Sequence, residues 1–188
     1  PAIGGTGAIL PGWRHLGEGE AVWSRPAVAD VNGDCRLDAV VGTGLFKPDP
    51  AGAQVNAFDA TGHVLPGWPA RTSHRVFAAP AVGDLDGDGK PEISVMDDHN
   101  LLYLFDGTGH RLPGWPVCGN NTGQCNGTAH ASTVLADVNA DGHADVVAAG
   151  QTTMRAYDTR GHGLAPAAAP KGVAQHSAAP TAATTGGS

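Results

Sequence analysis

The sequence predicts an all-β fold, a partial β-propeller made of four-stranded antiparallel blades, about three and a quarter of them in 188 residues. Three observations lead there. With 28 Gly and 14 Pro against only 15% charged residues, turns are abundant and long amphipathic helices are scarce. One pattern then recurs three times: Pro26-Ala-Val-Ala-Asp30-Val-Asn-Gly-Asp34, Pro80-Ala-Val-Gly-Asp84-Leu-Asp-Gly-Asp88 and Thr133-Val-Leu-Ala-Asp137-Val-Asn-Ala-Asp141, with the leading aspartates 54 and 53 residues apart. Between these stretches short apolar alternations are punctuated by turn residues, and four such strands in about 50 residues is the size of one blade.

Taken in order, residues 1–20 read as the last strand of a preceding blade and its connection. Gly5-Thr-Gly7-Ala-Ile-Leu10-Pro11-Gly12-Trp13 matches Gly107-Thr-Gly109-His-Arg-Leu112-Pro113-Gly114-Trp115 position for position, which makes Ala8 to Trp13 a strand. The start, Pro1-Ala-Ile-Gly-Gly5, has neither an initiator Met nor a basic-then-apolar leader and reads as that of a mature or excised fragment. Residues 21–69 are blade 1, 70–116 blade 2 and 117–166 blade 3. In blade 2 the expected strands are Val76 to Val82, Glu92 to Met96, Leu101 to Phe105 and His110 to Trp115. The third copy is worn after Tyr157-Asp158, where Pro166 survives but no Trp follows. Residues 167–188, small, polar and rich in Pro and Gly, read as a disordered tail or linker. Trp13, Trp68 and Trp115, each fixed after Pro-Gly, read as packing between blades, and Trp23 stands outside that register as a lone loose aromatic.

Every repeat carries oxygen side chains at alternate residues: Asp30, Asn32, Asp34 and Asp38; Asp84, Asp86, Asp88 and Glu92; Asp137, Asn139, Asp141 and Asp145. Crowded carboxylates repel unless a cation sits among them, and a hard ion with roughly 6–8 oxygen ligands points to Ca²⁺, up to three of them. Numbered from the leading aspartate, positions 1, 3, 5 and 9 supply side chains, and the carbonyl of position 7 (Arg36, Lys90, His143) is the expected fifth ligand. These loops hold ten of the 18 acidic residues, so three Ca²⁺ would bring the formal charge from −7 to about −1. The competing reading is a solvated acidic turn of the Asx type. Cys35 replaces, at position 6, the Gly of the other two loops (Gly89, Gly142), where a left-handed backbone is expected, so the first site should be weaker than the second, with its four acids. Cys118 and Cys125 enclose a Gly/Asn-rich stretch suited to a small disulfide loop.

The stretch Pro80-Ala-Val-Gly-Asp84-Leu-Asp-Gly-Asp-Gly-Lys-Pro-Glu92-Ile-Ser-Val resembles the FG-GAP (VCBS-like) repeat of integrin α-chain propellers and of many secreted bacterial proteins. The resemblance implies a propeller of about six to eight blades with Ca²⁺ in the loops between the first two strands. EF-hand and dockerin loops use a similar acidic pattern but need a helix afterwards and an acid at position 12, whereas here Asp38-Ala-Val-Val41, Glu92-Ile-Ser-Val95 and Asp145-Val-Val-Ala148 look like strands.

Function follows by elimination and by class. A net charge of −7 argues against nucleic acid, and no apolar run is long enough to span a bilayer. No G-x-S-x-G, H-E-x-x-H, C-x-x-C or phosphate-cradling loop is present, and the paired acids belong to the cation loops, so no catalysis is expected. The expected role is a secreted or cell-surface binding or accessory module for a glycan or protein ligand, and the Leu-Pro-Gly-Trp-Pro strand, which resembles the bacterial branch of the family, implies a bacterial source. Part of a larger secreted enzyme, with its active residues elsewhere, is the runner-up; a structural spacer is the third class. Open outer faces, marked by Val28, Val40 and Val41 at one end and Val134, Val146 and Val147 at the other, call for missing blades or for a homodimer to complete a ring.

Overall fold

A computed structural model describes residues 3–13, 21–44, 53–119, 125, 128, 130–150 and 154–159. All regular structure among them is β: β1 (Ala27–Ala29), β2 (Asp38–Thr43), β3 (Gln54–Phe58), β4 (Ala70–Arg71), β5 (Ala81–Gly83), β6 (Glu92–Met96), β7 (Leu101–Phe105), β8 (Val117–Cys118), β9 (Val134–Ala136), β10 (Asp145–Ala149) and β11 (Met154–Tyr157). They form three antiparallel meanders, β1-β2-β3-β4, β5-β6-β7-β8 and β9-β10-β11, one per sequence repeat. The first strands are neighbours, β1 beside β5 and β5 beside β9, as in propeller blades around an axis.

The middle unit shows why the chain stacks. β6 and β7 are buried at nearly every position, the pattern of a sheet covered on both faces. Ile93, Val95, Tyr103 and Phe105 pack against Val40, Val55, Ala57 and Trp68 of unit 1. Met96, Leu102 and Leu104 face the other way, onto Val146, Ala148 and Tyr157 of unit 3. The register, with Ile93 opposite Phe105 and Val95 opposite Tyr103, keeps each face uniform, since a one-residue slip would exchange the two faces.

Successive units are also latched by the Leu-Pro-Gly-Trp segments. The Trp68 Nε1–H donates to the Gly107 carbonyl at 3.1 Å, and that of Trp13 donates to Ala60 O at 3.3 Å. Each indole also meets the aromatic that ends the next unit's third strand: Trp13 on Phe58, Trp68 on Phe105 and Trp115 on Tyr157, with ring centroids 6.3, 6.2 and 5.8 Å apart. Gly67 is required for this approach, because a Cβ there would collide with the Thr108 carbonyl. The tryptophans are therefore packing residues between blades.

Several expectations are corrected. The segment His110 to Trp115 is not the fourth strand: it makes a single bridge, Phe105 with Arg111, then turns, and β8 follows it. Ala8 to Trp13 likewise holds only the Ile3–Ile9 bridge and a turn, because its Leu-Pro-Gly-Trp serves the latch instead of a ladder. The first strand of unit 2 is Ala81–Gly83, not Val76 to Val82. Ala70–Arg71 pairs with β3 and Val117–Cys118 with β7, so the sheets of units 1 and 2 run two residues past the divisions at 69 and 116. Val40, Val41 and Val146 are buried inside the chain, while Val28 and Val134 are 60% and 56% exposed. The fourth strand expected near Gly161 to Pro166 and the tail at 167–188 lie outside the described residues. Among the described residues no helix is long and apolar enough to cross a membrane.

Candidate metal centre

Each acidic loop joins the first and second strands of its unit, and the three are built alike. The position 1 carboxylate folds back over its own loop: Asp84 accepts the N–H of Gly87 (2.7 Å) and Gly89 (2.9 Å). Asp30 likewise accepts those of Gly33, Asp34 and Cys35, and Asp137 those of Asp141 and Gly142. Position 3 (Asn32, Asp86, Asn139) accepts from the N–H of position 5, and position 5 (Asp34, Asp88, Asp141) from the N–H of position 7 (Arg36, Lys90, His143). Position 9 closes the base, where Asp38, Glu92 and Asp145 accept the N–H of Val31, Leu85 and Val138 at 2.9, 2.8 and 3.0 Å. A nested set of side-chain-to-backbone bonds thus curls each loop in the same way.

In the second loop, oxygens of Asp84, Asp86 and Asp88 lie within 4.8 Å of one another, a cluster that can hold a metal ion. Loops 1 and 3 carry Asn at position 3, a neutral oxygen donor in the same place. Position 9 is buried in all three, at 1%, 5% and 2% exposure for Asp38, Glu92 and Asp145. Burial raises each of these carboxyls above the usual range, and the charges of Asp86, Asp88 and Asp84 help push Glu92 up to about 7. Asp137 is lowered instead, first by the Gly142 N–H. Asp38 Oδ1 is buried without a hydrogen-bond partner. An orphaned buried carboxylate oxygen at the base of a loop bearing Asp30, Asn32 and Asp34 suits a hard cation, which can satisfy several oxygens at once. Lys90 Nζ lies 3.7 Å from Asp88 Oδ2, an exposed pair worth little to stability.

The backbone decides between the loops. Position 6 is left-handed in all three, Cys35 at φ 64°, Gly89 at 84° and Gly142 at 90°, so the expected strain at Cys35 is present. Position 4 is left-handed as well, and there loop 3 carries Ala140 at φ 61° where the others have Gly33 and Gly87. Sequence reading weighed position 6 alone; aligning position 4 across the repeats would have found the second strained residue. Loops 1 and 3 each carry one such penalty, and the second loop none.

A second feature escaped sequence reading. Trp23 is not a lone aromatic: its ring lies 6.2 Å from Phe77, which lies 4.9 Å from His130. All three stand seven residues before the leading aspartate of their unit, a register visible once the repeats are aligned. Trp23 is 52% exposed. Cys118 and Cys125 are joined by a disulfide with Cα atoms 5.4 Å apart, and Cys35 is a free, exposed thiol.

Comparison with curated proteins gave no match. A family model described as an FG-GAP-like repeat matches residues 84–148, from the leading aspartate of the second loop through most of β10. That stretch spans the whole spacing from one acidic loop to the next and is similar to an FG-GAP-like repeat, set in an all-β, propeller-type array of antiparallel sheets.

Proposed function

We propose that the chain is a Ca²⁺-stabilised module of an exported protein, non-catalytic in itself, that presents a binding surface to a glycan or protein ligand. The observation that carries the reading is the same hydrogen-bond scaffold in three loops, each above a buried position 9 carboxylate, with the oxygens of Asp84, Asp86 and Asp88 gathered within 4.8 Å in the second. Asp30, Asn32, Asp34 and Asp38 serve the first ion, Asp84, Asp86, Asp88 and Glu92 the second, and Asp137, Asn139, Asp141 and Asp145 the third. The ion ties the first hairpin of a unit together and relieves carboxylate repulsion. The Cys118–Cys125 disulfide supports an oxidising, extracytoplasmic setting. The row Trp23–Phe77–His130, of which Trp23 and His130 are exposed, favours a ligand with flat apolar faces such as a sugar.

Titration with Ca²⁺ after chelation is the test. A ligand bound only by the folded state stabilises it by mass action, about 2.7 kcal/mol at a hundredfold excess over Kd. Calorimetry should resolve up to three sites, the second loop filling first, with a matching rise in melting temperature. Absence of binding heat together with a chelator-insensitive melt would sink the reading.

A further inference from the structure

The β6–β7 turn lies at the opposite end of β6 from the acidic loop, and there the chain passing from unit 1 to unit 2 brings His74 against Asp98 and His99. Ligand atoms of these three residues lie within 4.8 Å of one another. The imidazoles are 3.6 Å apart between centroids, tilted by 45°, and both are half-buried. Asp98 is 2% exposed and is held by Arg75, whose Nε and Nη2 both donate to Oδ2 at 2.9 Å. Its other oxygen, Oδ1, is buried and accepts no hydrogen bond. Leaving a buried carboxylate oxygen without a donor is costly, so its retention calls for a cationic or donor partner at that atom.

The surroundings fix this trio in place. The Asp98 N–H donates to Arg75 O at 2.7 Å, tying the turn to the inter-unit link. Asp97 Oδ1 accepts the N–H of His99 and of Leu101, both at 3.0 Å, and Asn100 adopts a left-handed φ of 66°. Framework residues of this chain recur from unit to unit; the trio does not. Counted from position 9, Asp98-His99 corresponds to Gly44-Leu45 in the first repeat and Gln151-Thr152 in the third.

We propose that His74, Asp98 and His99 bind a borderline divalent transition-metal ion of the Zn²⁺ class. Two imidazole nitrogens and one carboxylate oxygen are the donors such an ion takes in three-ligand sites, with the fourth position left to water or an incoming ligand. Nitrogen donors are poor partners for Ca²⁺, so this site selects a different ion from the acidic loops. Arg75 orients the carboxylate through Oδ2, as hydrogen-bond partners of metal-ligating carboxylates do, and leaves Oδ1 for the ion. The ion would pin the link after β4 to the β6–β7 turn, and so join unit 1 to unit 2.

Co²⁺ is the probe, added to the intact chain in excess Ca²⁺, with Zn²⁺ as competitor. One equivalent should give visible d–d bands without thiolate charge transfer, and Zn²⁺ should displace it. His74→Gln and His99→Gln, each alone, should weaken binding at least tenfold while the melting curve in Ca²⁺ is kept. His63→Ala and His110→Ala, whose side chains are 79% and 82% exposed, should leave it unchanged. No Co²⁺ or Zn²⁺ binding, binding retained when both His74 and His99 are replaced, or a charge-transfer band that places the ion on Cys35 overturns the proposal.

Discussion

Single residues set the differences among loops that are otherwise copies. Ala140, at φ 61°, holds a conformation that costs an L-residue about 1–2 kcal/mol relative to Gly, part of which Gly loses again through its freer unfolded chain. Ala140→Gly should therefore stabilise the protein by about 0.5–1 kcal/mol and tighten Ca²⁺ binding at the proposed third site. Thermal melts with and without Ca²⁺ check this; an unchanged or lowered melting temperature would remove backbone strain as the reason for ranking the sites. Side-chain types at positions 1, 3, 5 and 9 were legible in the sequence because alternate acids, repeated at blade spacing, repel one another unless they share a cation. Ala140 was not read, because an alanine by itself does not announce a positive φ; only its alignment with Gly33 and Gly87 exposes it.

At the scale of elements, the turn after the third strand is built alike in units 1 and 2, as the acidic loop is before the second. Asp59 Oδ1 accepts the Thr61 N–H and hydroxyl, both at 2.7 Å, and the His63 N–H at 3.0 Å; Asp106 repeats this with Thr108 and His110. The Thr61 hydroxyl first, then the His63 N–H, holds the Asp59 carboxyl below its ordinary value. A lowered folded-state pKa contributes stability that is present above the unfolded value, near 4, and is lost as pH falls through the folded one. Asp59→Ala should thus lower the melting temperature at neutral pH, and the gap from the parent should close below about pH 4. Melts between pH 2 and 7 decide this, and a gap that widens toward acid would contradict it. The second and third strands were legible from their alternation. The fourth were not, since β4 and β8 are two residues each and follow a Trp-Pro that reads as the end of a strand.

For the whole molecule, cohesion lies between units as much as within them: the middle sheet is buried on both faces, and its neighbours are joined to it by indole latches. The repeat made this stacking legible, since no blade buries both its faces alone, but the latch itself came from three-dimensional contact between segments about 40–50 residues apart. Trp68→Phe keeps most of the ring and removes the donor to Gly107 O, at a cost of about 1–2 kcal/mol placed on the junction of units 1 and 2. Because a stacked array couples nearest neighbours, the melt should broaden and its calorimetric enthalpy exceed the van't Hoff value. A sharp two-state melt in the variant would show that the latch carries no coupling.

The latch also has a direction. Trp13 and Trp68 both donate forward, to Ala60 and Gly107, across 47 and 39 residues. During synthesis a finished unit therefore waits for the next third-strand turn before its indole finds an acceptor. At roughly 5–20 residues per second that wait is about 2–9 seconds. Over that interval the apolar face of the newest unit is the most adhesive surface on the nascent chain, and elongation rate sets how long it stays bare.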